Sequence, residues 1–313
     1  MFFLNMKQLI AEFARWIYWH PWRRLVQSVP LPLSYQLVRR AGYGKYLLTS
    51  GKRNRTYQGL QFIFPHAKNS ELNRMVKKTF QNYAMNSIEV FHYPKLNLEK
   101  IKKMVQYEGL DKLDAALRQN KGVILAHGHF GNEEFLMPVI GYAGYKLNQI
   151  ASRWEPPLIR NTFSGRIVNS IRRNAFKYRI GYREKLPVTF HYIDKTLRSA
   201  VRAMQNNEVL LFAADGRESD QWLELDFLGQ RTRFSPGLAR FAKLTGAIVL
   251  PVFLIRESDY RHRLIIEDQI EVNDKDEKTF MQEYIARLEK YIRMYPCHYA
   301  KVYWVEPSFF INQ

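Results

Sequence analysis

Two histidines, His127 and His129, end an apolar run from Val123 to Ala126 and are followed by Gly131, Asn132, Glu133 and Glu134. An imidazole beside a carboxylate suits removal of a proton from a hydroxyl. The acid fixes the ring tautomer and raises the basicity of the far nitrogen. Four residues separate His129 from Glu134. If a helix starts near Gly131 or Asn132, Glu134 falls in its first turn and points back at His129, which makes the two a general base and its orienting acid. His127 is the alternative base, with Asn132 five residues on to hold its ring. It ends the apolar run, so a packed histidine is the reading preferred for it. His-x-His followed by carboxylates is also a ligand pattern of zinc hydrolases. Here Gly131 and Asn132 stand where a further Asp-His would continue that pattern, and no second His-rich cluster exists to complete it. No metal is expected.

The elements that must position these residues read as α/β. Short β-rich runs at Val123–Ala126, Leu147–Ala151, Val209–Ala213, Ile248–Ile255 and Leu264–Ile270 are separated by helical stretches. That alternation predicts a mixed, mostly parallel sheet flanked by helices, over residues 101–313. Residues 25–100 read as a helical N-terminal portion, with an amphipathic helix over Leu72–Val90. A helix is expected after Ser235 and Pro236, ending at Gly246, and another over Lys278–Tyr295. Ligands of open α/β sheets gather beyond the carboxyl ends of strands. His129, Arg153, Asp215 and Arg217 all follow such ends.

Residues 1–24 read as an amphipathic membrane-surface helix. Met6, Leu9, Ile10, Phe13, Trp16 and Ile17 share one face, and Trp16, Trp19 and Trp22 precede Arg23 and Arg24. Lys7, Glu12 and Arg15 break any signal-peptide core, and no apolar run reaches the roughly 18 to 20 residues of a spanning helix. Across 313 residues, 48 Lys+Arg against 29 Asp+Glu leave a net charge of +19, which favours an anionic partner. No nucleic-acid-binding motif accompanies the charge, so an anionic membrane surface is preferred and no nucleic acid is expected. Arg166, Arg172, Arg173, Lys177, Arg179 and Arg183 read as a general anion-facing surface. The single cysteine, Cys297, excludes an internal disulfide.

The stretch His129-Phe130-Gly131-Asn132-Glu133-Glu134 resembles the His-x4-Asp/Glu motif of glycerolipid-type acyltransferases. More narrowly, it is similar to the Gly-His-Phe-Gly-Asn-Trp-Glu of the late (lauroyl and myristoyl) acyltransferases of lipid A biosynthesis, with Glu133 in place of Trp. Glu208–Asp215 resembles that family's strand ending in Asp-Gln, with Gly216 in place of Gln. Asp226–Gly229, Ser235–Ala242 and Thr245–Val252 match further family motifs in order. The tail departs from the pattern: Pro296-Cys297-His298-Tyr299 stands where the family has Pro-x-Gln-Trp.

The resemblance implies transfer of a fatty acyl group from an acyl carrier protein (ACP) or coenzyme A thioester to a hydroxyl of a lipid or glycolipid acceptor. It implies His129 as base, Glu134 as its orienting acid, and no cofactor. It also implies a peripheral or monotopic place on the cytoplasmic face of the bacterial inner membrane. Backbone N–H groups from Phe130 to Asn132 are candidate oxyanion donors. Asn132 joins Arg153, Asp215 and Arg217 as candidate substrate contacts, the arginines for an anionic group on donor or acceptor. Asp215 could instead hold an arginine, orient the acceptor, support its loop or take a catalytic role. No Gly-x-Ser-x-Gly occurs, so direct transfer is preferred over an acyl-enzyme. The alternative is a catalytically silent relative that binds anionic lipid or acyl carrier protein.

Overall fold

Apolar residues recur at helical spacing through the first hundred positions, and in the computed structural model they form helices. These are α1 (Met6–Ile17), α2 (Arg23–Ser28), α3 (Leu31–Leu48), α4 (Ser50–Ile63), α5 (Asn69–His92) and α6 (Leu98–Met104). The structure describes residues 6–151, 163–192, 197–216, 219–272, 275–299 and 301–304. From β1 (Val105–Glu108) onward, strands and helices alternate: α7 (Leu110–Leu117), β2 (Val123–His127), α8 (Glu133–Tyr142), β3 (Leu147–Ala151), α9 (Phe163–Arg183) and β4 (Val188–Tyr192). They continue with α10 (Arg198–Gln205), β5 (Val209–Ala213), β6 (Leu223–Phe227), β7 (Gln230–Phe234), α11 (Gly237–Thr245), β8 (Ile248–Arg256) and β9 (His262–Ile266). The last elements among the described residues are α12 (Glu277–Met294) and α13 (Lys301–Trp304).

Among the described residues, seven strands form one sheet in the order β1-β9-β8-β2-β5-β3-β4. Strands β8, β2, β5, β3 and β4 run parallel; β9 is antiparallel to β8 and carries β1 parallel to itself. This is the mixed, mostly parallel α/β sheet expected. Strand β2 shows why the central strands are apolar throughout. Ile124 and Ala126 enter one core with α4, α10, α11 and α12, while Val123 and Leu125 enter another with α3, α6, α7 and α8. A strand covered on both faces has no solvent side on which to place polar residues.

The long α5 joins the two halves of the protein. Leu72, Val76 and Phe80 lie in the first core, and Met85, Ile88 and Phe91 in the second. The predicted helices over Leu72–Val90 and Lys278–Tyr295 are α5 and α12. Ile270, expected in the last strand, makes only an isolated bridge to Val249. The β6–β7 hairpin was not expected. Its two-residue turn puts both Leu228 (φ 53°) and Gly229 (φ 81°) in the left-handed region, which matches the twist of the paired strands.

At the N-terminus the three tryptophans do not share one environment. Trp16 is exposed on α1, Trp22 is half-buried, and Trp19 is buried against Phe91 and Tyr178. Met6, Leu9, Ile10, Phe13, Trp16 and Ile17 all remain exposed. Buried Glu12 anchors the other side of α1 to Arg172 of α9 at 2.8 Å. Among the described residues no helix is long and apolar enough to cross a membrane.

Candidate active site

Backbone demands fix the loop after β2. Gly131 has φ 72°, and a Cβ there would lie 1.9 Å from the Leu254 carbonyl oxygen on β8, so only glycine fits. Its N–H donates to the His298 carbonyl at 2.9 Å, and its own carbonyl accepts from Asn86 Nδ2 at 2.9 Å. The Gly131 N–H is therefore committed and does not serve as the expected oxyanion donor. Asn132 precedes α8, but its side chain turns the other way. Its amide is buried and donates to Glu89 of α5, so Asn132 does not reach the cavity as a substrate contact. Glu89 in turn meets Arg256 of β8 and the Tyr35 hydroxyl at 2.8 and 2.7 Å. Burial alone would raise the Glu89 carboxyl, but Arg256 and His262 outweigh it and hold it at about 2.

His129 takes its partner from the neighbouring strand. Strands β2 and β5 pair in parallel with His127 opposite Ala213. Continuing two residues past each puts His129 beside Asp215. Nδ1 of His129 lies 2.7 Å from Asp215 Oδ1, and the His129 backbone N–H donates to both carboxylate oxygens at 3.1 Å. Asp215 is wholly buried and does not line the cavity, and its carboxylate is placed to orient the imidazole. Lys301 completes the group. It is almost fully buried, donates to the Asp215 carbonyl, and stands 3.3 Å from Oδ2. Burial works to lower the His129 pKa, but the Asp215 charge and hydrogen bond, with help from Glu133, raise it to about 9. His127 lies on the same cavity, has no carboxylate bonded to it among the described residues, and is pushed down by burial to about 4, which keeps it neutral.

Glu134 does not hold His129. Helix α8 begins at Glu133, and successive helical residues are about 100° apart around the axis. Glu133 therefore faces the imidazole, with Oε2 3.7 Å from Nε2, and Glu134 turns to α9. There it accepts from Arg179 and, at 2.7 Å, from Arg183. Burial would raise the Glu134 pKa, but the two guanidinium groups override it and lower the value. The basic run of α9 is accordingly committed at Arg172, Arg179 and Arg183 to internal carboxylates. Arg153 and Arg217 lie outside the described residues. Asp215, Lys301 and Glu133 are thus the residues that the His-x4-Glu spacing did not reveal as partners. The order of strands in the sheet, which places β5 beside β2, is the signal that would have found Asp215.

Beside His129 opens a cavity of about 420 Å³, within the range of small-molecule sites. Trp19, Met137, Ile150, Phe176, Ile180 and Phe190 give it apolar walls. Arg15, Arg172, Arg179 and Arg183 add cationic groups, and Glu133 and Glu134 lie on the same lining. The cavity thus brings together an imidazole held by an acid, apolar walls and cationic groups. Among the described residues no cluster of His, Cys, Asp and Glu has the makings of a metal site.

Comparison with known proteins gives a consistent result. Residues 3–309 match the family model described as bacterial lipid A biosynthesis acyltransferase. A lipid A biosynthesis palmitoleoyltransferase of Escherichia coli (strain K12) is 25% identical over 314 residues, covering 98% of this chain and 93% of the relative. A phosphatidylinositol mannoside acyltransferase of Mycobacterium tuberculosis is 28% identical over 181 residues, 55% of this chain and 52% of that one. Its counterpart in Mycolicibacterium smegmatis is 24% identical, over 90% of this chain and 88% of the relative.

Proposed function

Because the chain belongs to the bacterial lipid A biosynthesis acyltransferase family, we propose that it moves a fatty acyl group from a thioester to a hydroxyl of a lipid A-like glycolipid. The donor is an acyl carrier protein or coenzyme A thioester. The observation that carries the mechanism is the 2.7 Å contact from His129 Nδ1 to buried Asp215 at the wall of an apolar-sided cavity.

With Nδ1–H donating to Asp215, Nε2 is left for the acceptor. Neutral His129 takes the acceptor's proton as that oxygen attacks the thioester carbonyl. The imidazolium then forms next to a carboxylate that already stabilises it, so Asp215 lowers the energy of the state in which charge develops. The carbon–sulfur bond breaks and the leaving thiolate recovers a proton. Asp215 supports this role only while it stays ionised, which Lys301 secures: burial alone would raise its pKa, but the lysine and His129 hold it far below the ordinary range. Glu134 acts at one remove, by fixing Arg179 and Arg183 where they line the cavity.

The exposed apolar face of α1 suits a membrane surface, with Trp16 at headgroup level and cationic residues beside it. The same helix supplies Arg15 to the cavity, so an acyl chain would enter beside the bilayer. On this reading the enzyme works as a peripheral protein on the cytoplasmic face of the inner membrane, and the apolar face of α1 supports that position.

The test is direct. Purified protein is incubated with lauroyl-ACP or lauroyl-coenzyme A and a lipid A precursor, and the acceptor's mass is followed. One added acyl chain per acceptor is expected, and none with His129→Ala. An unchanged acceptor with both donors, or full activity in the folded alanine variant, would overturn the reading.

A further inference from the structure

The His129 imidazole lies between two carboxylates, one toward each nitrogen. The Asp215 side is satisfied by three hydrogen bonds and a lysine. The Glu133 side is different. Its Oε2 lies 3.7 Å from Nε2, has no hydrogen-bond partner among the described residues, and is closed off from water. The side chain nonetheless lines the cavity in which the acceptor must react.

Several charged groups act on Glu133: His129 after β2, Asp215 after β5, Glu134 on its own helix and Lys301 on α13, while neutral His127 at the end of β2 and Arg179 and Arg183 of α9 line the same cavity. Most of these cations are already engaged. Arg179 and Arg183 hold Glu134, and Lys301 holds Asp215. Among the described residues, the cation within 4 Å of the Glu133 carboxylate is His129.

We propose that Glu133 is a second catalytic residue, a proton carrier that shares one proton with His129 and so makes the imidazole available as a base at neutral pH. This rests on the acyl-transfer reading above and deepens it. Closing the gap by about 0.8 Å brings Nε2 and Oε2 to the usual N···O hydrogen-bond distance. In the first step the Nε2 proton passes to Glu133, which leaves a neutral imidazole and a neutral carboxyl with no change in net charge. In the second, His129 takes the acceptor hydroxyl's proton as the oxygen–carbon bond forms and the carbon–sulfur bond breaks. The departing sulfur takes the proton held by Glu133. The cycle ends as it began, with imidazolium and carboxylate, and the products are an ester and a thiol.

The pH response of the pair follows. Burial, partly countered by His129, raises Glu133 to about 7, while His129 stands at about 9. The pair holds a single proton between those values and is active there. A plateau in kcat is expected between about pH 7 and 9, with loss on both sides.

The experiment follows thiol release from lauroyl-coenzyme A with the lipid A precursor as acceptor, from pH 6 to 10. Wild type, His129→Ala, Glu133→Gln and Glu133→Asp are compared, with circular dichroism confirming the fold of each. Glu133→Gln is expected to lose about 100-fold in kcat at pH 7, the low end of general acid–base effects. It should also lose the plateau, so that activity follows one ionisation. Glu133→Asp should recover part of the loss. A glutamine variant within threefold of wild type with an unchanged profile would overturn the proposal while leaving acyl transfer intact. An inactive wild type would overturn acyl transfer itself, and this proposal with it. Should the glutamine variant fail to fold, histidine-selective NMR of the wild type decides. Two coupled steps at His129 support sharing, and a single step refutes it.

Discussion

Asp215→Asn and Glu134→Gln, measured side by side, separate the two acids that could orient His129. Asp215 makes three hydrogen bonds to His129, whereas Glu134 is bonded to Arg179 and Arg183. An asparagine at 215 can still approach Nδ1, but its amide can stabilise the wrong tautomer and brings no charge to the imidazolium. In a serine-protease triad the equivalent change lowers kcat by about 10⁴. A loss of about 10³ to 10⁴ is expected here, or about 4–5 kcal/mol of transition-state stabilisation. Asp215→Asn also leaves Lys301 buried beside a neutral amide, at a cost in stability on the order of 3 kcal/mol, so rates must be referred to folded protein. Glu134→Gln should cost far less in rate. It removes the acceptor of two arginines, of which Arg179 is 44% exposed, so water takes up most of the loss. A change of about tenfold or less in kcat and about 1 kcal/mol in stability is expected. The assay is acyl transfer at pH 8 under saturating donor, with thermal melts on both variants. A folded Glu134→Gln protein that loses as much rate as Asp215→Asn would refute the assignment of Asp215 as the orienting acid.

Two further outcomes follow from the same geometry. Because His129 is raised to about 9 in the folded chain, from about 6.5 unfolded, its contribution to stability is fully present below pH 6.5 and is lost as pH climbs through 9. Chemical denaturation at pH 6 and pH 9.5 should therefore show a drop of at most about 3 kcal/mol that His129→Gln lacks; equal slopes in both proteins would contradict it. Ile10→Asp together with Phe13→Asp puts two charges on the exposed face of α1 and should weaken binding to phosphatidylglycerol vesicles more than tenfold in co-sedimentation, since each apolar side chain buried contributes about 1.5–3 kcal/mol. Unaltered binding would place the membrane contact elsewhere.

The sheet was legible where apolar runs were long enough to be buried on both faces. Leu147–Ala151 and Val209–Ala213 occur as β3 and β5 with the expected bounds. The short β1 and the edge strand β4 carry Gln106, Glu108 and Thr189, and their alternation is too brief to register. The loop holding His129 was found because its residue types are unusual together. Its partner was not, for a geometric reason. A spacing of four between His129 and Glu134 is informative only if the helix start is known to within one residue, and here α8 begins at Glu133. One position of phase turns one carboxylate toward the imidazole and the other away. The contact with Asp215 spans 86 positions and depends on which strands are neighbours. Local pattern carries no information about that. Lys301, further still along the chain, is a charged residue in the interior whose burial makes sense only once the Asp215 it pairs with is seen beside it.

The attachment of Asn132 and Arg256 to Glu89 bears on how this architecture tolerates exchange of parts. Glu89 belongs to the N-terminal helices, Asn132 to the reactive loop and Arg256 to the far end of the central strand β8. Three stretches of sequence are therefore obliged to change in concert. Grafting α5 from a relative that lacks the acid, without its matching β8, would strand the Arg256 guanidinium in the interior. Hybrids of this scaffold should succeed when their junctions keep that trio from a single parent.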